Sequence, residues 1–178
     1  MKIAGSKFLS GMRRKQESTK DNIRTSTFRL LAEHGYANIS MRDIAAEAGV
    51  ALSQIAYYYH SKDALISAVA SEAVDRFVEG FDCALDAPGG DPLAAARNYF
   101  ARISCGGEGS ELWRVVLDFV GQASWVPAFR DSINEFFTRL SGILDEKINS
   151  SDCAKINARE TIGALFGSSV MRLYAAGV

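Results

Sequence analysis

Apolar residues along this chain recur at three- and four-residue steps, and that spacing predicts helices. From Glu17 to His34, the residues Ile23, Thr27, Leu30, Leu31 and His34 fall on one helical face. Gly35 fits a C-terminal glycine cap. Tyr36 to Ile39 reads as a short connection, and Ser40 then stands at an N-cap position with Asp43 three residues on. A second helix, Met41 to Ala48, turns Ile44, Ala45 and Ala48 inward, and Gly49 ends it. Val50 and Ala51 make a tight turn into a third helix, about Leu52 to Tyr59. Ser61 caps a fourth helix that begins near Lys62 and carries Leu65, Ile66, Val69, Val74, Phe77, Val78 and Phe81 to about Leu85.

The run from Asp86 to Pro92 combines turn residues, glycines and prolines, and is the clearest break in the chain. Beyond it, helices are expected over Leu93 to Ser104, Ser110 to Ala123, Pro127 to Asn149 and Cys153 to Ala176. No segment alternates β-branched residues with period two. The expected fold is therefore all-α, with about eight or nine helices. Only three prolines occur, so long helices are permitted almost everywhere.

Charge changes the picture more than composition does. The chain carries a formal net charge of −1. Residues 1–62 hold ten Lys/Arg against five Asp/Glu, or +5, and residues 63–178 hold ten against sixteen, or −6. A basic head on an acidic body points to a polyanionic partner for the head. Residues 1–15, ending in Arg13-Arg14-Lys15, lack periodicity and read as a flexible basic arm. No apolar run approaches the roughly 20 residues of a membrane span, and the first twelve residues lack a signal-peptide core. The expected location is cytoplasmic. Cys83, Cys105 and Cys153 are odd in number and far apart, so reduced, partly buried thiols are expected, with no metal site and no cofactor.

Two short helices joined by a glycine-containing turn, with small Ala45 and Ala48 at the crossing, make a helix-turn-helix. Ile44, Ile55 and Tyr59 can close its core, which frees the other faces of the third helix to enter a major groove. Residues Glu17 to Leu65 resemble the DNA-binding domain of TetR-type regulators. The resemblance rests on His34-Gly35-Tyr36, Asp43-Ile44-Ala45 to Ala48-Gly49-Val50, Tyr57-Tyr58-Tyr59, Ser61-Lys62-Asp63 and Leu65. It implies a DNA-binding domain over residues 16–62 and a helical ligand-binding and dimerisation domain over 63–178. Position by position, it implies DNA contacts from Ser40, Arg42, Leu52, Ser53, Gln54, Tyr57, Tyr58 and Lys62. Arg42 suits guanine or phosphate, Gln54 suits adenine or phosphate, and Leu52 suits a thymine methyl group or inward packing beside Ile55. Ala56 stands where such proteins usually carry a phosphate-binding tyrosine, and Tyr57 or Tyr58 would have to replace it.

The same resemblance implies a homodimer through the last two long helices, on a double-stranded DNA operator, with a small-molecule effector. The stripe Phe129, Ile133, Phe136, Phe137, Leu140, Ile143, Leu144 and Ile148 is wide enough for both a core and a partner. Gly163 and Gly167, one turn apart, would allow close helix approach. The expected effector wall comprises Phe77, Phe81, Tyr99, Trp113, Leu117, Trp125 and Phe129, with Arg102, Arg114, Asp118 and Gln122 as polar anchors; it suits a largely apolar ligand. The function expected is a repressor released from a palindromic operator. The alternative is an effector-independent architectural or cell-division DNA-binding protein. An enzyme is disfavoured, because the only histidines, His34 and His60, lie inside the DNA-binding segment and no nucleophile–base set or phosphate loop is present.

Overall fold

The computed structural model describes residues 4–86, 90–106, 109–149 and 157–175, with the side chains of residues 4–17, 128 and 149 left outside the description. The described elements are α1 (Ala4–His34), a 3-10 turn (Tyr36–Asn38), α2 (Met41–Ala48), α3 (Leu52–Tyr58), α4 (Lys62–Leu85), α5 (Pro92–Ser104), α6 (Ser110–Gln122), α7 (Pro127–Asn149) and α8 (Ala158–Ala175). No strand occurs among the described residues. The chain divides into two compact units, residues 1–69 and 70–178. No described helix is long and apolar enough to cross a membrane.

Local chemistry sets most boundaries. α1 ends where Gly35 takes φ 73°, a backbone region open to glycine, and Asn38 Nδ2 donates to the His34 carbonyl at 2.8 Å. Ser61 Oγ accepts from the Ala64 N–H at 3.0 Å and caps α4. Asp91 caps α5 by accepting from Leu93 N at 3.0 Å, with Pro92 in the first turn.

Two boundaries differ from expectation. α1 begins at Ala4, not near Glu17; no proline interrupts residues 4–34, so nothing stops the backbone helix earlier. α8 begins at Ala158 because Asn157 caps it, its side-chain oxygen accepting from Glu160 N at 3.3 Å. The expected start at Cys153 and end at Ala176 lie outside the described residues.

In the first unit Ile23, Leu31, Ile39, Ile44, Ile55, Tyr59 and Leu65 are buried. Thr27, also buried, donates its hydroxyl to the Ile23 carbonyl at 2.7 Å, so a polar side chain on the apolar face is satisfied. His34 lies outside the core, exposed at the end of α1. In the second unit the core is aromatic. Phe77 packs edge-on against Tyr99 and Phe136 at centroid distances of 5.3 and 5.2 Å, and Trp113 meets Phe166 at 4.9 Å. Tyr99 donates its hydroxyl to the Phe77 carbonyl at 2.9 Å. Burial pushes the Tyr99 phenol up to about 12, so it stays a donor. α7 buries six members of its predicted stripe and half-buries Phe137 and Ile143. Cys83 and Cys105, expected to be partly buried, are exposed free thiols: neither falls on the inward face of its segment.

Candidate nucleic-acid interface

α2 and α3 are held by caps at both of their adjoining ends. The Ser40 hydroxyl accepts from Asp43 N at 3.3 Å, and the Asp43 carboxylate accepts from Ser40 N at 2.8 Å, a reciprocal capping box. The Ser40 hydroxyl first and its backbone N–H second hold the Asp43 carboxyl below the usual carboxylate range. The cap's contribution is thus present above the unfolded-state value and is lost as pH falls through the lowered one. Gly49, at φ 62° and ψ 32°, closes α2 in the left-handed region, where its N–H and that of Val50 reach the Ala46 and Ala45 carbonyls. From α1, Asn22 Nδ2 donates to the Ala48 carbonyl at 2.7 Å and ties the first helix to the turn.

α3 is seven residues long and turns Ile55 fully inward. Leu52, Ser53, Gln54, Ala56 and Tyr57 are exposed, while Tyr58 is half-buried. Leu52 is 43% exposed and Ile55 0%, which decides between outward and inward packing at Leu52. Gln54 folds back, its side-chain oxygen accepting from Ala51 N at 3.2 Å. Gln54 therefore caps its own helix while its amide NH2 remains available as a donor. Tyr57 and Tyr58 meet edge-on at 5.0 Å, with Tyr57 70% exposed beside the alanine. Arg42 is exposed on the first turn of α2.

Lys62 at the start of α4 is braced. Its ammonium donates to the Tyr36 carbonyl at 2.7 Å and lies 4.3 Å above the Tyr36 ring. The Tyr36 hydroxyl in turn donates to Asp63 at 2.8 Å. Burial first, then the Asp63 bond, raises the Tyr36 phenol from its ordinary value. The eight predicted contact residues thus share the first unit, on α2, α3 and the first turns flanking them. The supporting contacts of Asn22, Tyr36, Asp63 and Gln54 were not legible. Asn22, Tyr36 and Asp63 act across 26 or 27 residues, and periodicity carries no such signal.

Residues 23–69 match the family model described as bacterial regulatory proteins of the tetR family. Over 142 residues the chain is 25% identical to an HTH-type transcriptional regulator in the dhlA 5′ region of Xanthobacter autotrophicus, covering 75% of this chain and 67% of that one. Over residues 23–69 the chain is similar to tetR-family regulators. Its fold is shared with a TetR transcription regulator from Haloarcula marismortui, at TM-score 0.71 and 22% identity over 90% of this chain and 88% of that one. It is shared also with the multidrug binding protein EbrR complexed with ethidium, at TM-score 0.73 and 21% identity over 90% of each chain.

In the second unit the predicted effector residues do not share one surface. Phe77, Phe81, Tyr99 and Trp113 are buried in mutual ring contacts, through Phe100 in part. Phe129 is buried against Phe119 at 5.0 Å. Leu117 is half-buried, and Trp125 is 83% exposed at the turn before α7. Of the seven, Trp113 also lines a cavity of about 240 Å³, and of the four polar anchors Arg114 joins it there. Arg102 instead lies 5.5 Å over the Tyr99 ring.

Proposed function

We propose that the chain is a homodimeric repressor whose two α3 helices enter successive major grooves of a palindromic operator, roughly 34–36 Å apart, and that a small effector in the second unit releases it. The observation that carries this reading is the capped helix-turn-helix itself. It leaves Leu52, Ser53, Gln54 and Tyr57 exposed on α3 and seats Ser40, Arg42 and Lys62 around it. Arg42 and Ser53 read bases or grip phosphate, Leu52 meets a thymine methyl group, and the Gln54 amide donates to a base or phosphate acceptor. Tyr57 supplies the backbone contact absent at Ala56, and Tyr58 and Lys62 hold phosphates.

The dimer reading is supported by α8. Gly163, Ala164, Gly167 and Ser168 are exposed, as are Met171 and Tyr174 further along the helix. A Cβ added at Gly163 or Gly167 would meet nothing within 4 Å. Small residues one turn apart beside large apolar ones suit close packing against the same helix of a second copy. α4 runs from Lys62 in the first unit to Leu85 in the second. Release requires the effector to bind the DNA-competent and DNA-incompetent states with different affinity.

Selection of preferred sites from genomic DNA, sequenced after binding at near-physiological salt, tests the reading. One or a few inverted repeats are expected. Broad recovery that disappears with modest added salt would mean phosphate attraction alone and would favour an effector-independent architectural protein.

A further inference from the structure

The cavity of about 240 Å³ in the second unit lies at the turn between α5 and α6, against the end of α8. Its apolar wall includes Ile103 and Leu173. Ser110, Trp113 and Arg114 line it from α6 at positions i, i+3 and i+4, one face of one helix. Trp113 is 1% exposed, and its indole Nε1 is a buried donor with no hydrogen-bond partner. Leaving such a group unpaired is costly, and buried polar groups in folded proteins are otherwise almost always paired. Arg114 is exposed and makes no ion pair with any described carboxylate.

The sign of the ligand follows from charge. The cavity touches the C-terminal end of α5 and the N-terminal end of α6. Their dipoles amount to roughly half a charge of opposite sign each and offset one another. The full charge of Arg114 is left over. Glu111, about 100° around α6 from Ser110, is exposed and does not line the cavity. The size follows from volume: drug-sized sites span roughly 300–1,000 Å³, so this one suits a single ring.

We propose that this cavity is the effector site and takes a small aromatic monocarboxylate. Its ring lies against Ile103 and Leu173. Its carboxylate accepts from the Arg114 guanidinium, and the Trp113 side chain forms part of the wall. The proposal rests on the reading that the second unit binds an effector, and adds the site and the ligand class.

The chain has two tryptophans, so a Trp125→Phe variant leaves Trp113 as its one indole reporter; Trp125 is exposed, and the change does not disturb the core. Benzoate, benzamide and benzylamine are titrated against this variant with Trp113 emission as the readout. A saturable change with benzoate is expected, with benzamide and benzylamine binding at least about tenfold more weakly. Adding Arg114→Gln, a surface change, is expected to weaken benzoate about tenfold and leave benzamide unchanged. No saturable response to benzoate up to roughly ten millimolar, benzylamine binding as well as benzoate, or benzoate indifferent to Arg114→Gln would each overturn the proposal. The readout involves no DNA. A site that binds benzoate without altering operator affinity would therefore sink the release mechanism and leave the site standing.

Discussion

Gln54 sits at the one position of α3 where capping and recognition meet. Its oxygen serves the Ala51 N–H, and the side chain is exposed. Gln54→Glu keeps the acceptor and adds a negative charge near a helix N-terminus, which is neutral or slightly favourable for folding. The same charge placed among phosphates repels DNA. Thermal unfolding is expected to shift by no more than about 0.5 kcal/mol, while operator affinity in a gel-shift titration falls tenfold or more. Unchanged affinity would remove Gln54 from the interface. The double role was half legible. The resemblance marked the position, but the cap depends on a side-chain rotamer that spacing cannot report. Leu52 and Ile55 show the same limit: three residues apart, both suited the inward face, and packing in the first unit admitted only Ile55.

At the scale of elements, α4 and α5 interlock where glycine is required by its neighbour. A Cβ at Gly80 would come within 2.9 Å of the Tyr99 hydroxyl oxygen, the atom that bonds the Phe77 carbonyl. Gly80→Ala is therefore expected to cost about 1–3 kcal/mol as overpacking, despite the better helix propensity of alanine. Tyr99→Phe removes the obstructing oxygen at a cost of about 1 kcal/mol for the lost hydrogen bond. Denaturant melts of the two single variants and the double should show the double less destabilised than the sum. Strict additivity would mean that Tyr99 is not the group Gly80 makes room for. By contrast, Gly49 meets nothing within 4 Å, and its requirement comes from its φ of 62° alone. The Gly49 requirement was legible from local sequence, as a glycine after a short periodic run. The Gly80 requirement was not, because its cause lies on another helix.

At the scale of the whole molecule, the proposed dimer would use a face of α8 that the single chain leaves open. Gly167→Leu places a large side chain where the single chain offers no obstruction. It also replaces glycine inside a helix, which favours the helical state. Helical content is expected to be retained while the dimer dissociates, as read by sedimentation equilibrium. Operator affinity should drop with it, since each half-site is then bound separately. A variant that remains dimeric would show that α8 does not form the contact.

Caps, breaks and the 3.6-residue period belong to neighbouring residues. The sequence alone therefore determined the all-α class, the ends of α2, α4, α5 and α7 to within a residue or so, and the helix-turn-helix. Charge summed along the chain pointed to the same end as the helix-turn-helix. Partnership between distant residues is decided by packing. Only the tertiary structure set Asn22 on the Ala48 carbonyl and braced Lys62 with Tyr36. It also closed Phe77, Phe81 and Tyr99 into the core and left Trp113 and Arg114 beside a cavity. An aromatic residue at helical spacing reads the same whether another ring or an empty space faces it, and what faces it comes from elements far away in the chain.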